Sequence, residues 1–342
     1  MSYLVGKIAL DIDAGAPNNG EGEDNIGVVK SVWIGRDRHP YVSAQAFRRW
    51  LRDSLPSSEP RSPVTRSAAG RNQQAYTGAR PDLYLDDDLF GYMVAEKGSG
   101  IWQRDTVLAT GTLLSVAPAR VTKDFGTMSR GFAAGDNPVI HQHELYSADL
   151  AGDILLDLPR IGTFELDGNG LRRNLTPAAV TEAARNGAAE TEFRGGRSLQ
   201  LPIAERRRRA ALLLRTLAEV RGGAKQALHY GDRAPALVLL APLKGGNNPF
   251  TRVLRVKDGH VVFDSGVLRE EIAAWESEVD GEVLLGWAPG FLGDQRDTAA
   301  RILEDLVKEE QVVIGHPRKL TADLAARIES GVHDSWFEDP QG

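Results

Sequence analysis

The sequence contains no cysteine, and that absence excludes several kinds of chemistry together. Disulfides, thiolate metal sites and cysteine nucleophiles all require this residue. The longest apolar run, at residues 236–241, is far shorter than the roughly 20 residues that a helix needs to cross a bilayer. Residues 3–13 alternate like a strand and carry charge, so they do not form the apolar segment of a secretory signal. We therefore expect a cytoplasmic protein.

The motifs of several enzyme classes are also missing. Neither GxxxxGK[ST] nor GxGxxG occurs, which argues against a nucleotide-binding loop. The serines lack the context of a hydrolase nucleophile, and no set of nucleophile, base and orienting residue is evident. We therefore predict that the chain is not an enzyme and holds no cofactor or metal ion.

Charge is modest in total and uneven in its distribution. The formal net charge is −6, whereas domains that bind nucleic acid are usually basic. Residues 43–80 contain seven Arg and two acidic residues, which gives a local charge of +5. Residues 205–233 contain seven Arg, one Lys and three acidic residues, again +5. Charge segregated in this way can create one positive surface on an acidic protein.

Periodicity predicts both strands and helices. Ser43–Leu55 is predicted to form an amphipathic helix with Ser43 as its N-cap. Residues 56–81 are rich in Pro, Ser, Gly and Arg, which is typical of a long mobile loop. A second helix is predicted from Ala204 to Arg221, where Gly222-Gly223 ends it. Mixed elements separated by long insertions predict an α+β fold.

Four segments, in this order, resemble one known family. The first is the Asn-rich acidic loop Asn19–Lys30, and the second is YVSAQAFRRWLR at residues 41–52. The third is DDDLFGYM at residues 86–93, and the fourth is the long insertion 115–147 before a strand-like segment, Ser147–Asp153. They resemble the Cas7 family of backbone subunits in type I CRISPR surveillance complexes (Cascade), and specifically its DevR-like branch in type I-B systems.

The resemblance implies an architecture and an assembly. It implies that residues 1–342 form one domain, with an RRM-like (ferredoxin-like) antiparallel sheet core and helical insertions. It also implies a mobile loop at residues 56–81 and a protruding thumb hairpin at residues 115–147. It also implies an antiviral defence function, in which copies of the chain form a filament along a CRISPR guide RNA with other Cascade subunits. The guide, rather than the protein, then reads the target DNA by base pairing.

The first predicted helix carries candidate RNA contacts. Arg48 and Arg52 are four residues apart, and Gln45 lies one turn before Arg49, so these donors rise along one side of the helix. Donors spaced by a helical turn can follow successive phosphates without reading bases. On the residues alone, a solvated basic face stays open, as does a purely capping role for Ser43; the resemblance favours RNA contact by the arginines.

Three further regions supply candidates. Lys30 stands where the family carries a basic residue, and Asn19 presents an amide, although asparagines in Gly-rich loops more often form turns. The insertion 115–147 mixes basic and apolar residues that suit a wedge between bases, and a disordered or partner-binding loop stays open there. The Gly-rich turn after the second helix lets backbone N–H groups approach a phosphate. The residues implied to bind RNA are Asn19, Lys30, Ser43, Gln45, Arg48, Arg49, Arg52, Lys123, Phe125, Met128, Arg130, Arg206, Arg221 and Lys225.

Two groups of side chains also invite a metal-binding interpretation. The run Asp86–Asp88 could hold Mg²⁺, but adjacent acids more often open a helix, where they complement its dipole. His141 and His143 have the spacing that places both rings on one face of a strand, but no third ligand is evident. We therefore predict no metal site at either place.

Two other functions remain as alternatives. Type III relatives cut target RNA with an acidic residue in the loop after the first strand, where this chain has Glu21, Glu23 and Asp24. A metal-dependent ribonuclease subunit of a type III-like complex is therefore the enzyme alternative. The other alternative is a regulatory or scaffold protein that binds only protein partners.

Overall fold

A computed structural model describes most of the chain. The described residues are 2–20, 26–67, 74–96, 100–133, 135–137, 139–167 and 173–339. The acidic residues Glu21, Glu23 and Asp24 lie outside them. The strands are β1 (Tyr3–Gly15), β2 (Ile26–Gly27), β3 (Ser31–Ile34), β4 (Asp37–Val42), β5 (Thr65–Ser67), β6 (Gln74–Tyr76), β7 (Tyr92–Glu96), β8 (Gly100–Arg104), β9 (Leu108–Thr110), β10 (Leu113–Ser115), β11 (Thr122–Met128), β12 (Val139–Asp157), β13 (Thr163–Glu165), β14 (Ala189–Phe193), β15 (Gly196–Gln200), β16 (Leu237–Leu243), β17 (Leu254–Lys257), β18 (His260–Phe263), β19 (Val283–Trp287) and β20 (Val312–Gly315).

Helices occupy the connections between many of these strands. The first predicted helix is confirmed to within one residue at each end, whereas the second ends at Ala218 and not at Arg221. Among the described residues, no helix is both long and apolar enough to span a membrane. The helices are α1 (Ala44–Ser54), α2 (Leu85–Phe90), α3 (Pro177–Arg185), α4 (Ile203–Ala218), α5 (Ser265–Ala274), α6 (Gln295–Ile302), α7 (Glu304–Lys308) and α8 (Pro317–Glu329), with 3₁₀ helices at Leu158–Arg160, Pro249–Arg252 and Asp334–Phe337.

A large, mostly antiparallel sheet organises the fold. Its strands follow the order β20-β19-β16-β1-β12-β10-β4-β3, and β2, β9 and β11 also pair with β12. The pairs β19–β20 and β12–β2 are parallel. Helices accompany this sheet, so the predicted α+β class is confirmed.

Strand β1 lies in the middle of the sheet and separates two hydrophobic cores. Because side chains alternate along a strand, Ile8 packs into one core while Val5 packs into the other. Gly6 marks a close approach between β1 and β16. A side chain at Gly6 would begin 1.8 Å from the carbonyl oxygen of Leu239, so this position requires a residue without a Cβ atom.

Strand β12 contains 19 residues and belongs to two structures. Its second half, Ala148–Asp157, pairs with Tyr3–Ile12 of β1 in the central sheet. Its first half, Val139–Leu145, pairs with β11 to form a hairpin within the predicted thumb insertion 115–147. Most side chains of β11 are exposed. We call this hairpin the thumb.

The predicted loop 56–81 contains structure of its own. Strands β5 and β6 pair as a hairpin inside it, and residues 68–73 lie outside the described part of the chain. Ser62 and Ala79, near the two ends of the loop, are buried. The loop is therefore anchored at both ends, and its mobility stays a prediction.

Candidate nucleic-acid interface

The acidic run Asp86–Asp88 lies inside the protein. Helix α2 carries all three carboxylates, and all three are buried. Asp86 accepts a hydrogen bond from the backbone N–H of Ser62 at 3.1 Å, and Asp87 accepts one from the Ser62 hydroxyl at 2.7 Å. Burial raises the pKa of Asp87. These contacts tie α2 to the loop 56–81. Among the described residues, no group of three or more His, Asp or Glu side chains could hold a metal ion.

Asp88 is the centre of a buried ion network. Its side chain is 0% exposed, and Arg104 pairs with one of its carboxylate oxygens. Arg209 donates to the other oxygen at 2.7 Å, and the backbone N–H of Gly162 donates to it at 3.0 Å. Arg209 also donates to Glu205 at 2.7 Å. The network joins α2, β8 and α4, so this motif holds the fold together.

Arg206 lies in the interior, although the sequence predicts it to be an RNA contact. It is 3% exposed, and its guanidinium donates to the carbonyls of Pro159, Ile161 and Phe337 at 2.7–2.8 Å. Burial lowers its pKa to about 10. Protein carbonyls occupy its donors and almost none of its surface reaches solvent, so Arg206 does not belong to the interface. The neighbouring arginines pair with acids of the same chain: Arg207 with Asp334, Arg208 with Glu59 and Glu205, and Arg209 with Asp88 and Glu205.

Helix α1 has one buried side, and its start is capped as predicted. Phe47, Trp50 and Leu51 are buried against the core. The Ser43 hydroxyl accepts a hydrogen bond from the backbone N–H of Ala46, which satisfies one of the free donors at the helix start. The capping role of Ser43 is therefore confirmed.

Arg48 and Arg52 lie on one flank of α1 and have partners within the protein. Arg48 donates to the Thr110 hydroxyl at 3.1 Å, and burial lowers its pKa. Arg52 lies 3.6 Å from the Asp86 carboxylate and 5.1 Å from the centre of the Phe90 ring. Both side chains are half-buried, so their contacts fix α1 relative to α2 and β9.

Gln45 and Arg49 point outward from α1. Both are exposed, and the Arg49 guanidinium donates to Asp53 at 2.7 Å. An ion pair between two exposed side chains contributes at most about 1 kcal/mol, because water screens it. Arg49 can therefore exchange Asp53 for a phosphate at little cost.

Lys30 and Asn19 lie beside each other at the end of the loop that follows β1. The backbone N–H of Lys30 donates to the Asn18 carbonyl at 3.1 Å, and Asn19 forms an isolated antiparallel β-bridge with Val29. The Lys30 carbonyl accepts from the N–H of Tyr41 at 3.0 Å, which links it to the strand that leads into α1. The structure thus brings these two predicted residues together.

A Gly-Gly turn brings Arg221 and Lys225 to the same region. Gly222 and Gly223 have positive φ, and a side chain at either would meet the Trp50 side chain of α1 at 3.1 Å. The backbone of Arg221 exchanges hydrogen bonds with the Ser54 hydroxyl at the end of α1. The Lys225 side chain extends over Gly27 of β2. A Cβ atom added to Gly27 would lie 3.9 Å from the Nζ atom of Lys225.

Four predicted residues lie in neighbouring loops beside α1, and we call them the basic rim: Asn19, Lys30, Arg221 and Lys225. The backbone N–H of Ala224 donates to the Pro17 carbonyl at 2.8 Å, so the Gly-Gly turn lies against the loop that contains Asn19. Within the described residues, no ion pair occupies the three cationic side chains. Arg221 and Lys225 are exposed, and Lys30 is half-exposed.

The thumb presents apolar and basic side chains to solvent. Phe125 and Met128 are 63% and 53% exposed, and Lys123 and Arg130 are exposed as well. Met128 lies directly opposite Val139 on the partner strand, so one pair of apolar side chains lies close to the tip. The exposed side chains of the thumb are thus the basic and apolar ones that the sequence suggests for a wedge.

Two histidines lie at the base of the thumb. The rings of His143 and His229 are 4.9 Å apart, and His143 Nε2 lies 3.3 Å from a carboxylate oxygen of Asp124. Burial, together with His143, lowers the pKa of His229. His229 was missed by the sequence analysis, because no pattern links it to a strand so far away in the chain. Lys225, which belongs to the basic rim, lies four residues before His229 and also lowers its pKa.

Comparison with known proteins identifies one relative by sequence. No protein-family model matches the chain. A curated protein from Myxococcus xanthus (strain DK1622), "CRISPR-associated protein Cas7/Cst2/DevR", is 31% identical over 165 residues, which cover 42% of this chain and 54% of that protein. The match thus spans about half the length of the curated relative.

Two solved structures have a similar fold. A chain of a "CRISPR RNA-guided surveillance complex" matches with a TM-score of 0.54 and 15% identity, over 95% of this chain and 98% of that chain. A chain of a "CRISPR RNA-guided surveillance complex, pre-nicking" matches with a TM-score of 0.54 and 11% identity, over 96% and 100%. At such low identity the likeness is one of fold, and it extends over nearly the whole chain.

Proposed function

We propose that this chain, which is a relative of the Cas7/Cst2/DevR proteins, binds CRISPR guide RNA as a backbone subunit of a type I surveillance complex. Several copies lie head to tail along one guide, which then pairs with target DNA, and other Cascade subunits complete the complex. The large sheet serves as an RRM-like core. The chain belongs to the DevR-like branch of type I-B systems and does not itself cut RNA.

The observation that carries this proposal is the basic rim. Lys30, Arg221 and Lys225 come from separate parts of the chain, yet the fold gathers them around one edge of α1. Unpaired cations on an otherwise acidic protein are the groups that attract a polyanion. Contacts to phosphates hold any nucleotide sequence, which a subunit carrying arbitrary guides requires.

The thumb complements the basic rim. Its exposed apolar side chains, Phe125 and Met128, cannot pair with phosphate, but they can stack on or separate bases of any identity. Lys123 and Arg130 add cations near these side chains. The thumb and the rim meet where β12 pairs with β2, under Lys225.

The arginines of α1 divide into two roles. Arg49 and Gln45 face solvent and serve as RNA contacts. Arg48 and Arg52 are held by Thr110 and by the carboxylate of α2, so we assign them the role of positioning the helix. Ser43 caps the helix.

Co-expression with a CRISPR repeat array tests the proposal. The wild-type protein should co-purify with RNA of one repeat-derived length. The triple variant Lys30→Gln, Arg221→Gln and Lys225→Gln should recover at least about tenfold less RNA. In a plot of the logarithm of the binding constant against the logarithm of the salt concentration, its slope should be shallower by about 2, because each single-strand phosphate contact contributes roughly 0.7.

A matched control removes three other cations, Arg252, Lys257 and Arg301, which are exposed and lie outside the rim. Both triple variants should keep the circular dichroism of the wild type, and the control should keep its RNA. Equal RNA retention by the two variants would contradict the proposal. Protein free of nucleic acid in every preparation would instead favour a scaffold that binds only proteins.

The ribonuclease alternative depends on residues that the structure does not describe. Its candidate acids, Glu21, Glu23 and Asp24, lie outside the described residues. The test is incubation of the guide-loaded complex with matched target RNA and Mg²⁺. We expect the RNA to stay intact, and regularly spaced cuts would favour the type III-like alternative.

A further inference from the structure

Trp33 stands out among the tryptophans of the chain. The chain has six tryptophans, and Trp33 is 69% exposed. The other five are buried, apart from the half-buried Trp275. Val32 and Ile34 beside it are exposed as well, so this strand presents contiguous apolar surface, which marks a place that contacts something else.

A short β-hairpin carries Trp33. Strands β3 and β4 pair from Ser31 opposite Pro40 to Ile34 opposite Asp37, which leaves the two-residue turn Gly35-Arg36. Gly35 has a φ of +63°, a conformation that glycine adopts without strain and that tight hairpin turns require. Strand β3 is the last strand on its side of the sheet. The ring therefore stands at an edge, on a backbone that does not need to be ordered on binding.

Three cationic residues lie close to Trp33 along the hairpin, together with the acids Asp37 and Glu144. Arg38 lies directly opposite Trp33, and its guanidinium is fixed by Ser31 at 2.8 Å and by Glu144 at 3.1 Å. Lys30, a member of the basic rim, immediately precedes β3, and Arg36 lies exposed in the turn. An exposed ring with Lys30 and Arg36 close to it along the chain matches the pairing of aromatic platform and basic residues by which proteins hold single-stranded nucleic acid.

We propose that Trp33 is a stacking platform for an unpaired base of the RNA strand that the basic rim holds. This inference rests on the proposed function and adds a site outside the thumb and α1. The indole ring supplies a face for any base, while Lys30 and Arg36 hold the adjoining phosphates. The site therefore selects a single strand, since bases in a duplex are already stacked on one another.

Binding of a short oligoadenylate and of an abasic oligonucleotide of equal length tests the proposal. Adenine stacks well, whereas the abasic strand offers phosphates alone. Trp33→Leu keeps an apolar side chain but removes the aromatic face. We expect it to weaken oligoadenylate binding by about 5- to 150-fold and to leave the abasic strand and the salt slope unchanged.

Tryptophan fluorescence gives an independent readout. Oligoadenylate should quench the wild-type emission and shield it from acrylamide, and both effects should disappear in Trp33→Leu. The matched control is Ile34→Ala, on the opposite face of the same strand and also exposed. It should change the affinity for oligoadenylate by less than about twofold, since surface substitutions away from a contact have small effects.

Three outcomes decide the question. Equal oligoadenylate affinity of Trp33→Leu and wild type, with the salt slope intact, would overturn the stacking site and leave the proposed function standing. Loss of self-association in both variants without loss of RNA affinity would show that the hairpin docks protein. Failure of the wild type to bind either strand would overturn the proposed function as well.

Discussion

Asp88 offers the sharpest test of the conclusion that the acidic run is structural. Replacement with Asn keeps the size of the side chain and removes its charge. The amide then faces Arg104 and Arg209, whose guanidinium groups are buried and lose their shared counter-ion. Removing one partner of a buried ion pair typically costs 3–5 kcal/mol, because the remaining charge stays out of water without compensation, so we expect Asp88→Asn to lower the free energy of unfolding by about 4 kcal/mol.

The size of the chain converts this loss into a temperature. Proteins gain about 2.1 cal/mol/K of entropy per residue on unfolding, so a chain of 342 residues gains roughly 0.7 kcal/mol/K. A loss of about 4 kcal/mol therefore lowers the melting temperature by about 6 °C. The assay is urea and thermal unfolding, followed by far-ultraviolet circular dichroism and by the fluorescence of the buried tryptophans.

Asp305→Asn is the matched control. Asp305 pairs with Arg269, but both side chains reach solvent, with 54% and 39% of their surface exposed. Exposed pairs contribute at most about 1 kcal/mol, so this variant should melt within about 1–2 °C of the wild type. If Asp88→Asn also stays within that range, the buried network does not stabilise the fold, and the assignment of the motif is wrong.

Two further predictions concern the central sheet. Burial, with a smaller effect of Asp11, raises the pKa of Asp149 to about 6, so the folded state keeps a proton that the unfolded state releases near pH 4 and stability falls as the pH rises from about 4 to about 6. In urea titrations at several pH values, Asp149→Asn should therefore be more stable than the wild type by roughly 1 kcal/mol at pH 7, after solvent screening, and equally stable at pH 3.5. Gly6→Ala should abolish soluble expression or lower the melting temperature by about 5 °C or more, since its Cβ would overlap the Leu239 carbonyl, whereas Gly245→Ala, which meets open space, should melt like the wild type.

Local patterns predict elements well when they need no distant partner. The helix at Ser43–Leu55 follows from its apolar spacing and its capping residue, both of which lie within one segment. The strand at residues 3–13 is found as β1, extended by two residues to Gly15. In each case the hydrophobic period and the local hydrogen bonds agree with the tertiary structure.

The roles of individual arginines could not be read from the same patterns. The run Arg206–Arg209 has the composition of an RNA-binding cluster, yet its acids come from residues as distant as Asp88 and Asp334. A local charge of +5 is therefore largely neutralised once the chain folds. The basic rim shows the converse, because Lys30 and Lys225 are far apart in sequence and come to the same region only when the Gly-Gly turn packs against the loop after β1.

The unbroken course of β12 has a mechanical consequence. The same backbone that forms one side of the thumb continues, without a hinge, into the ladder with β1. A force on the tip must bend a continuous strand or slide its pairing, and a slide by one residue would turn the core-facing side chains of β12 to the opposite face of the sheet. We therefore expect the thumb to bend together with the central sheet and to keep a nearly constant angle to it.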